Sequence, residues 1–454
     1  QLQEEVEALL AEYAPWARRA VEWKKARNSD LQAMQFPFPA YRPGQRAMAG
    51  EVYKVCRDGG QLLCQAPTGI GKSMSVLFPA LKSMGNESVG PIFYLTARGT
   101  TRTAAENALA ILRDTEPELH LRSVTLTAKD KICLCETREC TPEACPYANG
   151  YYARIKGALW DVLDVPCLTA ETLQEYAKRH TVCPFELGLD SSLWSDVIIG
   201  DYNYLFDPVV HLVRFFESAG DYIFLVDEAH NLPGRAREMH SAALTKTSFY
   251  EAKKLLGKGK SSLKNALTKV NDVFIEWRHR AEEETAARDG RFGKTFFLKE
   301  RSEEFDHLLN RLCEPLEAWL DAHREPDENH TALLQLYFDV RAWLRVADTF
   351  DDHFVLQITA SGSEVRAAQL CLDPSAFLAD SFALGRAAVL FSATLAPASY
   401  YKDLCGVPEA RAVALRSPFP AGNQGLFCIG NVSTRYKDRD ASLAIVEESL
   451  ATMV

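Results

Sequence analysis

Apolar and polar positions follow two different periods along this chain. Over residues 1 to about 30, Val6, Leu9, Leu10, Tyr13 and Trp16 recur at helical spacing, which predicts an amphipathic helix. The proline-rich FPFPAYRPGQ (36–45) breaks that pattern and leads into another helix. From 61 to about 130, short apolar runs alternate with helical patterns: LLCQ (62–65), PIFYLTA (91–97) and LRSVTLT (121–127). This alternation predicts a parallel sheet with crossover helices, an α/β fold. Strand-like runs return at SDVIIGDYNYLF (195–206), DYIFLVDEAH (221–230) and RAAVLFSATL (386–395). Residues from about 240 to 350 read as long helices rich in Leu, Glu, Lys and Ala, with no strand alternation until HFVLQITA (353–360).

A length of 454 residues exceeds what one core supports, so two or three domains are expected. The 47% hydrophobic and 25% charged content is ordinary for a globular protein. No run reaches the roughly 20 apolar residues of a membrane span, and no secretory leader opens the chain, so the expected setting is the cytoplasm without a membrane partner. The first residue is Gln, and the chain reads as a fragment. A net charge of −10 argues against holding nucleic acid by global charge, yet leaves room for a local basic track. Twelve cysteines in a large leaderless chain read as buried thiols or metal ligands rather than disulfides.

The chemistry is densest at APTGIGKS (66–73). It fits the end of a phosphate-loop pattern, with Ala66 where the strict form has glycine. Thr68, Gly69 and Gly71 let backbone N–H groups turn around phosphate oxygens, and the helix opening at Lys72 aims its positive end there. Lys72 would reach the β and γ phosphates and Ser73 would offer its hydroxyl to Mg²⁺. A glycine-rich turn with an unrelated lysine is the plain alternative, disfavoured by the strand before and the helix after. The second requirement is an acid at the end of another buried strand. Asp227 and Glu228 meet it, Asp227 for Mg²⁺ and Glu228 to orient and deprotonate the attacking water. Alone, such an acidic pair is more often a solvated turn; with the phosphate loop it reads as an ATPase.

Asp-Glu-Ala-His230 with APTGxGKS resembles superfamily 2 helicases, and further motifs follow in that family's order. Tyr41–Gln45 resembles the adenine-reading segment, with Gln45 on the base. Thr96-Ala-Arg98 resembles the motif that grips a single strand. Ser392-Ala-Thr394 resembles the one that couples hydrolysis to domain movement, together with His230.

Between these motifs lie Cys133, Cys135, Cys140, Cys145, Cys167 and Cys183. Within the quartet Cys133, Cys140, Cys145 and Cys183, only one gap fits the spacing of a zinc site, whereas an iron–sulfur cage tolerates irregular spacing. Cys135 is an alternative to Cys133, and Cys167 in VPCL reads as packing. An insert here, ending in HTVCPFELGLDSSLWSDVIIGDYNYLFDP (180–208) and followed by a helical insertion before Ser392, closely resembles the XPD-like/DinG iron–sulfur DNA helicases of bacterial type, over about residues 36 to 420. The resemblance implies a 4Fe–4S cluster, an arch of helices and 5′-to-3′ movement on single-stranded or forked DNA by a monomer in the nucleoid, with repair or replication as the setting.

The organisation expected is a helical segment (1–35), a RecA-like motor domain in three pieces (36–130, 196–240, 351–420), an iron–sulfur insert (131–195), a helical arch (241–350) and the start of a second motor domain (421–454). The arch carries Lys253, Lys254, Lys258, Lys260, Lys264 and Lys269, which read either as a solvated face or as a phosphate track, with Lys258 and Lys260 central. Tyr202 and Tyr204 either stack on bases or seal the sheet end. The arginine-rich closing motif of the second motor domain is absent, so these residues are expected to bind ATP and turn it over poorly. Two other readings stand beside this one: a zinc-binding RNA helicase of DEAH type, and a non-catalytic module using ATP as a structural ligand.

Overall fold

Twelve strands run through the described residues in chain order: β1 (Gly60–Gln65), β2 (Ile92–Thr96), β3 (Ser123–Thr125), β4 (Cys167–Leu168), β5 (Val197–Asp201), β6 (Ile223–Asp227), β7 (Ala242–Thr245), β8 (Lys294–Leu298), β9 (Phe354–Ser361), β10 (Glu364–Cys371), β11 (Ala387–Ser392) and β12 (Arg411–Ala414). The structure is a computed structural model. It describes residues 2–86, 89–97, 99–257, 259, 261–286, 294–323, 327–417, 420–423, 425, 428–430, 432, 433 and 435–453. The chain forms two units, Gln1–Arg416 and Ser417–Val454.

Eight strands make one sheet in the order β12-β1-β11-β6-β2-β5-β3-β4, with parallel pairing throughout. The apolar runs fold this way because helices cover both faces. In β6, Phe224 and Val226 enter one buried cluster while Ile223 and Leu225 enter the other. Register then fixes where the chemistry collects. Gln65 pairs with Ser392, Phe391 with Asp227, and Thr96 with Asp201. The carboxyl ends of β1, β11, β6, β2 and β5 therefore finish nearly level, and that edge is where ligands of open α/β sheets bind.

The N-terminal helix runs Leu2–Ala33, and its second half braces this sheet. Asp196, buried just before β5, accepts from Arg27 Nη1 at 2.7 Å and Trp23 Nε1 at 3.1 Å. The Arg122 guanidinium lies 3.5 Å over the Trp23 ring.

Two expectations change in the insertions. The segment 131–195 is irregular only to about 150; helices Tyr151–Val162, Ala170–His180 and Pro184–Ser192 follow, and Cys167–Leu168 is the edge strand β4. The region expected to be mostly helical, 241–350, contributes β7 and β8 to a four-stranded antiparallel sheet, β7-β10-β9-β8, whose other two strands come from 354–371. β9 and β10 pair with each other and with β7 and β8 rather than with the motor sheet, so 354–371 goes with the insertion and not with the motor domain. The cause is visible in β9, whose residues alternate buried and half-buried and so cover one face of helices. Four long helices close over that face around Phe249, Phe274, Phe296, Phe305 and Trp343. Trp343 Nε1 donates to the buried Asp306 at 2.8 Å. In the second unit, helix Arg439–Met453 is anchored by Ser442, whose hydroxyl donates to the Asp438 carbonyl at 2.9 Å.

Candidate active site at the strand ends

The phosphate loop leaves β1 and turns on Gly69 (φ +85°) and Gly71 (φ +83°), both in the left-handed region open to glycine. A Cβ on Gly71 would stand 2.9 Å from Gln45 Nε2, so the loop and Gln45 are in close contact. Gln45 is buried, and its Oε1 accepts from the Arg42 N–H at 3.0 Å. The Arg42 guanidinium in turn donates to the Gly69 carbonyl. The segment expected to read adenine thus also holds the phosphate loop. Thr68 is exposed at the loop tip, and Gly71 caps helix Lys72–Met84.

Asp227 ends β6 buried, with Oδ1 accepting from the Glu228 N–H and Oδ2 from the Tyr94 hydroxyl, both at 2.8 Å. Burial pushes its carboxyl above the ordinary range, with the Glu228 charge adding to this while the Tyr94 bond opposes it. Burial, and then the Asp227 charge, raise the Tyr94 phenol well above its usual value, so it remains a donor.

Glu228 occupies a left-handed backbone conformation (φ 49°, ψ 44°), uncommon for a non-glycine residue. That turn swings its carboxylate across the strand ends. Oε1 lies 3.4 Å from Lys72 Nζ, and Oε2 accepts from the Ser392 hydroxyl at 3.0 Å. His230 Nδ1 is 2.7 Å from the same Ser392 oxygen and 3.4 Å from Glu228 Oε2. Because Ser392 spends its proton on Glu228, its oxygen accepts from His230, which makes Nδ1 the protonated ring nitrogen. The Thr394 N–H also points at Ser392 Oγ, at 3.4 Å, while its own side chain is exposed. Lys72, Glu228, His230 and Ser392, drawn from three strands, form one connected polar set.

The residues expected to hold DNA fare differently. Thr96 is fully buried and its hydroxyl donates to the Gly200 carbonyl at 3.4 Å. Tyr202 and Tyr204 are 1% and 6% exposed, and the Tyr202 hydroxyl donates to the Asp227 carbonyl. These three side chains offer no face to a base or a phosphate: Tyr202 and Tyr204 seal the sheet end, the plainer of the two readings. Arg98, Lys258 and Lys260 lie outside the described residues. Among the other lysines, Lys254 pairs with Glu251 at 3.8 Å and Lys264 Nζ donates to the Gly259 carbonyl at 3.1 Å.

Two residues of the site have no motif to announce them. Tyr94 reads in sequence as one more apolar strand position beside Phe93, and its hydroxyl carries no signal of its own. Arg102 donates to Asp201 at 3.1 Å and to the Leu126 carbonyl at 3.1 Å, tying the helix after β2 to the end of β5.

A second constellation is formed by thiols. Cys133, Cys135, Cys140, Cys145 and Cys183 line one cavity of about 510 Å³, beside Tyr151 and Phe185. Cys135 and Cys145 are 3.8 Å apart. Cys183 stands at the start of helix Pro184–Ser192; burial raises its thiol, and the N–H groups of Glu186 and Phe185 oppose that rise. Cys167 lies away from this cavity, in β4. Among the described residues, no three His, Cys, Asp or Glu side chains close around a single point as a mononuclear site would require.

Comparison with known proteins agrees with this geometry. Residues 115–249 match the DEAD_2 family model, which takes in the thiol cavity, β5 and the Asp227–Glu228 turn. The chain is similar to XPD-type helicases over this part. Over 276 residues it is 24% identical to the general transcription and DNA repair factor IIH helicase subunit XPD/RAD3 of Saccharomyces cerevisiae, covering 52% of this chain and 34% of that protein. It is 22% identical over 262 residues to the regulator of telomere elongation helicase 1 homolog of Drosophila yakuba, covering 46% and 26%. A solved XPD helicase structure superposes with a TM-score of 0.52 at 18% identity, over 83% of this chain and 62% of the other. The chain therefore shares that fold, while its matches span about a third or less of these curated relatives. The phosphate loop and Ser392 fall outside the DEAD_2 match, so their convergence on Glu228 is independent support. Among the described residues, no helix is long and apolar enough to cross a membrane.

Proposed function

We propose that this chain carries the ATP-hydrolysing motor of a DNA helicase that moves 5′ to 3′ on single-stranded or forked DNA in repair or replication. One observation carries the reading: Glu228 stands between Lys72 of the phosphate loop and Ser392 of β11, with His230 on the same hydroxyl. Lys72 leans on Glu228. An incoming γ-phosphate competes for that ammonium, which frees Glu228 to orient water and take its proton. The proton bound to Ser392 and the imidazole beside it give β11 a direct sense of whether Glu228 is engaged. Ser73 and Asp227 fit a divalent cation, since one buried hydroxyl touches both. Mg²⁺ held there would neutralise charge developing on the phosphates.

The thiol cavity supports a 4Fe–4S cluster held by Cys133, Cys140, Cys145 and Cys183, because the donor set is all thiol and lines a cavity rather than crowding one point. The cluster would cross-link the irregular 133–150 segment to helix Pro184–Ser192. Contact with DNA is assigned to surface outside the buried strand-end residues.

The test is Glu228→Gln. It should bind ATP as the wild type does and lose hydrolysis by about 10²–10⁴-fold, the range for a positioned general base. Hydrolysis at the wild-type rate by this variant overturns the reading. Iron and sulfide analysis of anaerobically purified protein tests the cluster; one zinc and no iron rejects it.

A further inference from the structure

In β2 (IFYLT), the ring of Tyr94 is fully buried and packs edge-on to Phe391 at 6.0 Å. Its hydroxyl sits between two oxygens that the proposed site needs. It is 2.8 Å from Asp227 Oδ2 and 3.3 Å from Ser73 Oγ. A phenol has one proton to give, and an ionised carboxylate can only accept. The proton therefore goes to Asp227, and towards Ser73 the phenol oxygen is the acceptor. Ser73 then donates its own proton to Tyr94, which leaves the serine lone pairs available to a cation. Asp227 is fixed in the same stroke: Oδ2 by Tyr94 and Oδ1 by the Glu228 N–H at 2.8 Å, so the carboxylate plane cannot rotate.

We infer that Tyr94 is a positioning residue for the divalent cation of the nucleotide complex, presetting the Ser73 hydroxyl and the Asp227 carboxylate as ligands. The inference rests on reading this site as an Mg–ATP site. Tyr94 touches neither nucleotide nor metal. It acts through their ligands, as the hydrogen-bond partners of metal ligands do elsewhere. Acting only through the two cation ligands leads to a sharp consequence: removing the hydroxyl should weaken the metal and spare the metal-free binding of nucleotide.

The experiment uses the full chain and a fluorescent mant-ATP probe, titrated first in EDTA and then with Mg²⁺ added at fixed nucleotide. Tyr94→Phe should bind mant-ATP in EDTA as the wild type does, while its Mg²⁺ half-saturation rises about 10-fold, the lower end for loss of such a partner. Asp227→Asn, which keeps the volume, should raise that half-saturation further, and adding Tyr94→Phe to it should cost less than it does alone, because only the Ser73 contact is left to lose. An unchanged Mg²⁺ response in Tyr94→Phe, or equal losses with and without Mg²⁺, overturns the inference. A melt in EDTA shows whether Tyr94→Phe is folded. If it is not, 3-fluorotyrosine at 94, with the same shape but a more acidic phenol, must shift the Mg²⁺ half-saturation, and no shift overturns the inference. Failure of the wild type to bind mant-ATP in either buffer would instead overturn the nucleotide site itself, and is told apart because no variant is involved.

Discussion

Ser392 donates its hydroxyl proton to Glu228 Oε2 at 3.0 Å, and this single bond joins the end of β11 to the turn that follows β6. Glu228 reaches it only because its backbone sits in the left-handed region. The same oxygen of Ser392 accepts from His230, so the serine reads the state of both residues. Removing it should separate hydrolysis from whatever β11 communicates.

Ser392→Ala should leave ATP affinity unchanged and lower DNA-stimulated hydrolysis by roughly 10-fold. That is the effect of losing about 1.5 kcal/mol from a hydrogen bond to a charged group. Steady-state hydrolysis with and without single-stranded DNA checks it. The unstimulated rate should fall less than the stimulated one, because Glu228 keeps Lys72 as a partner.

Lys72→Ala should act at the other end of the same set. The ammonium is largely buried and its described ion-pair partner is Glu228, at 3.4 Å. Losing a charge-assisted bond to phosphate costs about 1.5–3 kcal/mol, so nucleotide affinity should weaken about 10- to 150-fold. Equilibrium binding of mant-ATP measures this directly.

Much of this site is legible in the sequence, and the part that is not has a physical reason. The phosphate loop, the Asp227–Glu228 pair and Ser392 each follow a buried strand, and strand ends in a parallel sheet must emerge on one edge, so their meeting follows from order and period alone. Tyr202 and Tyr204 mislead because an aromatic at a strand end is equally suited to a base and to a core; burial is a property of the assembled sheet, not of the tripeptide. Tyr94 is missed for the converse reason. Its role lies in one hydroxyl, and apolar patterning scores the ring. The boundary near 350 errs because β9 alternates correctly but pairs with β8 and β10, and periodicity reveals a strand without naming its neighbour.

The five thiols around one cavity set up a choice, since a 4Fe–4S cluster takes four. Cys133→Ser, Cys140→Ser, Cys145→Ser and Cys183→Ser should each lower iron content well below that of the wild type. Cys135→Ser should retain it, its neighbour at 3.8 Å being the proposed ligand Cys145. Iron content equal to wild type in Cys133→Ser with loss in Cys135→Ser would exchange the two assignments.

The last prediction concerns the joint between the motor sheet and the antiparallel insertion. His240 ends the helix that follows the Asp227–Glu228 turn, and its ring stacks on Phe377 with centroids 4.0 Å apart and planes 8° from parallel. Burial holds its pKa below the ordinary histidine value, against the opposing pull of the Phe206 backbone and the Asp207 charge. The folded protein therefore binds this proton less readily than the unfolded chain. Between the depressed pKa and about 6.5 the unfolded state carries more protons, so stability is fully present above that range and is lost as pH falls through it. His240→Phe keeps a flat ring against Phe377 and cannot titrate. Thermal melts from pH 7.5 to 5 should show the wild type losing stability relative to this variant as pH falls below about 6.5, with parallel curves above it. Parallel curves over the whole range would mean that the imidazole becomes protonated in place without disturbing the stack.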